Sequence, residues 1–127
     1  MEFRTADEAR VANITYHLVP IDYWQAHGAA GYYVPERFAE EGFIHCTNGL
    51  DELVKVANLF YTADPREFQV MVLDVLQLTS ELRYDDPDQV YPHIYGPLNT
   101  SAVIGSLTVQ RSEDGSFTAI GTQDLEG

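Results

Sequence analysis

One cysteine in 127 residues leaves nothing for an intrachain disulfide to join, a count that suits a reducing compartment. Basic residues are nearly as scarce. Seven Lys and Arg stand against 20 Asp and Glu, for a formal charge of -13. Such a field repels polyanions, whereas nucleic-acid binders neutralise phosphates with clustered bases, so nucleic acid is an unlikely partner. A single anionic small molecule stays within reach, because scattered side chains such as Arg37 and Arg83 act locally. No apolar run approaches the roughly 20 residues needed to span a bilayer. The opening Met1-Glu2-Phe3-Arg4-Thr5-Ala6-Asp7 lacks the basic flank and apolar stretch of a signal peptide. These absences predict a cytoplasmic protein with no membrane association. Repeats, low-complexity tracts and compact metal motifs such as HExxH are also missing.

What is present suits one domain. Hydrophobic residues form 45% of the chain, and a domain of this size buries roughly two-thirds of the surface its unfolded form exposes. Residues 1–12 are polar and aperiodic, which suggests a flexible arm. The folded unit is expected over 13–121, with 122–127 as a tail. Ile14 to Val19 is β-rich, and Pro20-Ile21-Asp22 then opens a short helix ending at Gly28. Tyr32 to Val34 reads as extended, and Pro35 starts a helical turn closing near Gly42. Phe43 to Thr47 is the next strand. Thr47 or Asn48 can cap the helix that follows, in which Leu50, Leu53, Val54, Ala57, Phe60 and Tyr61 form one apolar stripe. Phe68 to Val75 is nearly continuous apolar sequence, the pattern of a central strand covered on both faces. Short strands follow near Leu82 to Tyr84 and Val90 to Tyr95. A final pair, Ala102 to Gln110 and Phe117 to Ile120, flanks an Asp114-Gly115 turn. Helices come early and strands dominate late, which predicts an α+β fold.

Side-chain alternation separates the residues with reactive groups. In an extended Phe43 to Thr47, Cys46 faces away from His45, so the two cannot act as nucleophile and base. Cys46 goes with Ile44 as a packing residue. His45 shares its face with Phe43 and Thr47, His17 with Thr15 and Val19, and His93 with Tyr91 and Tyr95. Three histidines therefore sit in separate extended segments on faces that aliphatic residues mostly avoid. If those segments are neighbours, their imidazoles line one cleft. His27, before Gly28 at a helix end, complements the helix dipole instead.

Three blocks, "ITYHLVPIDYW", "GYYVPERFAEEGFIHCT" and "YPHIYGPLNTSAVIG", resemble in order and spacing those of domain-of-unknown-function family 952, over about residues 14–110. That family is in turn similar in fold to the ADP-ribosyltransferase superfamily, a split, mostly antiparallel β-sheet domain that binds NAD between two small sheets. The resemblance implies that Tyr16-His17-Leu18 matches a first-strand motif whose histidine holds a ribose hydroxyl. It implies that Phe43-Ile44-His45-Cys46-Thr47 matches the second motif. The third motif usually offers a glutamate; here the block is Tyr91-Pro92-His93-Ile94-Tyr95, and Glu81, Asp85 or Asp86 would have to supply the carboxylate.

The expected function is binding of NAD, ADP-ribose or another nucleotide-like ligand in a histidine-lined cleft, with transferase or glycohydrolase chemistry and no metal. His17, His45 and His93 are the candidate catalytic residues, since neutral imidazole with a reference pKa near 6.5 serves as donor or acceptor. Tyr16, Tyr32, Tyr33, Arg37, Phe43, Thr47, Tyr91 and Tyr95 are the candidate ligand contacts. Two alternatives stand beside this reading. One is a metal-dependent hydrolase with the three histidines as ligands; the other is a noncatalytic binding module.

Overall fold

The first segment to take regular structure in the computed structural model is α1 (Ala6–Val11), within the stretch expected to be a loose arm. Its start is a capping box: the Thr5 hydroxyl accepts from the Glu8 amide, and the Glu8 carboxylate accepts from the Thr5 amide. Two otherwise orphaned donors are thereby satisfied, which offsets the poor apolar periodicity of this stretch. The structure describes residues 1–121, so the expected tail lies outside the described residues.

The elements that follow are β1 (Ile14–Pro20), α2 (Ile21–His27), β2 (Tyr32–Tyr33), α3 (Phe38–Glu41), β3 (Ile44–His45) and α4 (Leu50–Phe60). Then come β4 (Phe68–Asp74), β5 (Glu81–Tyr84), β6 (Pro92–Tyr95), β7 (Leu98–Asn99), β8 (Val103–Arg111) and β9 (Phe117–Ile120). Among the described residues the strands pair antiparallel, in three sheets of order β1-β4-β8-β9, β2-β7 and β3-β6-β5. The α+β class matches the sequence pattern, and the antiparallel pairing matches the mostly antiparallel sheet that the resemblance implied. Gly115 turns the β8–β9 hairpin with φ of 95°, as the Asp-Gly pair required.

β4 lies between β1 and β8 and is packed on both faces. On one side Val70 and Val72 join Ile14, Tyr16, Leu50, Leu53 and Ile120 beneath α1 and α4. On the other, Met71 and Leu73 join Val19, Tyr33, Ile44, Cys46, Ile94 and Leu98 beneath the two smaller sheets. β1 is likewise buried on both faces, so His17 does not lie on a face avoided by apolar residues. Alternation along one strand shows that two faces exist; it does not show that a second layer covers each of them.

Two helix details also differ from expectation. α4 is capped by Gly49, not by a Thr47 or Asn48 side chain. Its first amides are met by the arm instead, Leu50 and Asp51 donating to the carbonyls of Phe3 and Arg4. The fit is so close that a Cβ on Gly49, where φ is 87°, would come 2.6 Å from the backbone of Thr5 and Ala6. At the other end Phe60 is exposed. Tyr61, just past the helix, packs on Phe68 in its place, with ring centroids 5.7 Å apart.

Candidate functional site

The three-stranded sheet turns Ile44, Leu82 and Ile94 inward and a different set outward. Its outer face carries His45, directly opposite His93, which is directly opposite Arg83. The Cys46 amide donates to the Pro92 carbonyl, so the His45–His93 pair lies between hydrogen-bonded pairs, where facing side chains approach most closely. Their ring centroids are 5.2 Å apart at an interplanar angle of 86°. Phe43 stacks on His93 at 4.1 Å and meets His45 edge-on at 4.9 Å. Tyr95 lies 5.4 Å from Phe43 and receives the Arg83 guanidinium at 4.4 Å on its ring.

Each basic group on this face has a carboxylate beside it. Asp85 accepts from His93 Nδ1 at 2.9 Å and from the Tyr95 hydroxyl at 2.5 Å, and these two bonds hold its carboxyl below the usual range. A carboxylate only accepts, so Nδ1 of His93 carries a proton, and in the neutral ring Nε2 is the acceptor. Glu41 lies 3.3 Å from His45 Nε2, and Glu81 lies 3.0 Å from Arg83. Sequence reasoning named Asp85 and Glu81 as stand-ins for the missing glutamate but passed over Glu41. The signal was Gly42, whose φ of 81° reverses the chain after α3 and returns Glu41 toward His45.

His17 is elsewhere. It is 5% exposed on β1, with Nδ1 2.8 Å from the His45 carbonyl and Nε2 3.0 Å from the Tyr33 hydroxyl. Burial pushes its pKa down to about 4, against a smaller rise from the backbone bond, so the ring is neutral near pH 7. Both nitrogens are engaged, which leaves none for a metal or a ribose hydroxyl. The three-imidazole metal site is therefore not assembled, and no group of three His, Cys, Asp or Glu suited to a metal occurs among the described residues.

The remaining candidates divide. Tyr33, Tyr16 and Thr47 are buried: Tyr16 hydrogen-bonds Met1 and Phe3 through its hydroxyl, and Thr47 pairs with the Tyr16 backbone. Tyr32 and Tyr91 are exposed outside the cluster, and Arg37 pairs with Glu40 across 3.4 Å. Cys46 is buried as expected, its thiol pushed up by desolvation. The histidines do not line a common cleft. A cavity of about 690 Å³ opens instead beside Gln69, Ser106 and Thr108, with no histidine in its wall. Arg111 at its rim is spent on the carbonyls of Tyr61, Thr62, Asp64, Arg66 and Gly115.

Residues 18–106, which include the whole of this face, match the model of the family described as "Protein of unknown function (DUF952)". The chain belongs to the DUF952 family. Among solved structures, this DUF952 protein is similar to CC0527 from Caulobacter crescentus. The crystal structure of CC0527 aligns with a TM-score of 0.68 at 20% identity, covering 82% of this chain and 92% of that one. Its solution structure aligns with a TM-score of 0.63 at 20% identity, over 81% and 90%. Identity at that level carries the fold alone. No curated protein matches the chain. No helix among the described residues is long and apolar enough to cross a membrane.

Proposed function

We propose that the outer face of the β3-β6-β5 sheet binds NAD or an ADP-ribose-derived, nucleotide-like ligand, and that ADP-ribosyl transfer or glycohydrolase-type cleavage is the associated chemistry. The fold is read accordingly as a small relative of the ADP-ribosyltransferase arrangement. One observation carries the proposal: Asp85 stands among His93, Tyr95 and Phe43, bonded to the first two. Cleavage of an N-ribosyl bond builds oxocarbenium character on the sugar, which a fixed carboxylate stabilises. His93 Nε2, the free acceptor, suits a ribose hydroxyl or an attacking water. Phe43 and Tyr95 offer ring surface for a base. In this reading His45, His93, Phe43 and Tyr95 keep the roles expected from sequence, and His17 acts from behind the face.

Calorimetric titration with NAD, ADP-ribose and a 2'-phosphorylated ribonucleotide tests it. At least one binds at millimolar concentration, and Asp85→Asn weakens that binding about tenfold, the direction expected when a charged acceptor becomes a neutral amide. Failure of all three to bind the unmodified protein ends the proposal. Chromatography of the incubated ligand then separates cleavage from binding alone.

A further inference from the structure

We propose that His17 and Tyr33 are positioning residues, a buried strut that wedges the three-stranded sheet away from β1 and thereby sets His45 against His93. Among the described residues, the segment that continues β3 meets β1 at one isolated bridge, Tyr16 to Thr47, with the two residues exchanging both backbone bonds at 3.0 and 2.9 Å. A continuing antiparallel ladder would place His45 opposite Leu18. No such pair forms. Because His45 and His93 face each other in a non-hydrogen-bonded pair, the His45 carbonyl points away from β6 and needs a donor on the β1 side. The His17 ring occupies that position, and its Nδ1 donates to the carbonyl at 2.8 Å.

A carbonyl only accepts, so the proton is on Nδ1; Nε2 then accepts, and the Tyr33 hydroxyl donates to it at 3.0 Å. Tyr33 is fixed in turn by Trp24 and Tyr23, with ring centroids 4.9 and 6.0 Å away. Rigid aromatic packing on α2 and β2 is thus transmitted through one imidazole to the backbone of the residue whose side chain meets His93. The wedge is a property of the unliganded fold, so its test is independent of the ligand reading.

Nitrogen-15 NMR of the histidine rings provides that test. In the unmodified protein His17 shows a single neutral tautomer protonated at Nδ1; protonation at Nε2 overturns the strut. His17→Asn keeps an N–H donor near the Nδ1 position, and His17→Leu removes it at similar volume. In His17→Leu the nuclear Overhauser contact between the His45 and His93 rings, which stand 5.2 Å apart at 86° in the unmodified protein, is lost and their ring proton shifts move. In His17→Asn the contact and the shifts stay near the unmodified values, and the ring shifts of His27 on α2 move in neither variant. An unchanged contact in a folded His17→Leu protein overturns the proposal, as does an equal change in both variants. If His17→Leu does not fold, Tyr33→Phe decides: loss of the hydroxyl that holds Nε2 loosens the ring against the His45 carbonyl and weakens the same contact, and an unchanged contact overturns the strut.

Discussion

At the scale of the residue, burial decides what each histidine does. His17 and His45 were indistinguishable by alternation, yet one is sealed beneath Tyr33 and the other has a half-exposed side chain, 52% by area. The sealed ring links stability to pH. Its pKa is near 6.5 unfolded and about 4 folded, so between those values the unfolded state binds the additional proton. The contribution is complete above pH 6.5 and is lost as pH falls through the window to 4. It amounts to on the order of 3 kcal/mol. Urea unfolding of the unmodified protein and His17→Asn at stepped pH measures it. The stability gap between them changes by about that amount across the window, to the detriment of the unmodified protein at low pH; a constant gap refutes the linkage. His45 and Cys46 were correctly placed on opposite faces from their order alone, because the two-residue period of a strand is local geometry. Which face met solvent was not in that pattern.

At the scale of the element, α4 shows both the reach and the limit of periodicity. Leu50, Leu53 and Ala57 are buried as their spacing requires, whereas Phe60 is left outside and Leu59 beside it is equally exposed. Leu53→Ala therefore costs about 2–5 kcal/mol through the cavity it opens, and Phe60→Ala stays within about 0.5 kcal/mol of the unmodified protein. Denaturant midpoints of the two variants check this, and equal losses would mean that the last turn is packed. β4 was legible as a central strand because an uninterrupted apolar run has no solvent face to mark. α1 was readable too. Its Thr5-Ala6-Asp7-Glu8 box is present in the sequence, but the expectation for residues 1–12 rested on their polarity and lack of period and did not use it. The cap of α4 was not readable, since its acceptors come from residues more than forty positions earlier.

At the scale of the whole molecule, the N-terminal segment ties the two layers of one core together. The Tyr16 hydroxyl on the sheet donates to the Met1 carbonyl and accepts from the Phe3 amide, at 2.7 and 2.8 Å. The Phe3 and Arg4 carbonyls meanwhile receive the first amides of α4. Removing residues 1–4 breaks these four bonds, at a cost of about 2–4 kcal/mol. Hydrogen exchange at the Leu50 and Asp51 amides accelerates with it; full protection in the shortened protein would show that the arm is dispensable. The α+β class, the order of the elements from β1 to β6, the opposite facing of His45 and Cys46 and the local pairing of histidine with aromatic residues were legible in the sequence, because propensity, alternation and turn chemistry act over a few positions. Tertiary structure alone decided that His45 and His93 meet while His17 stands behind them, and that Asp85 and Glu41 complete the face. Those relations depend on strand register and on which layer covers which side, and both are fixed only when segments distant in the chain pack together.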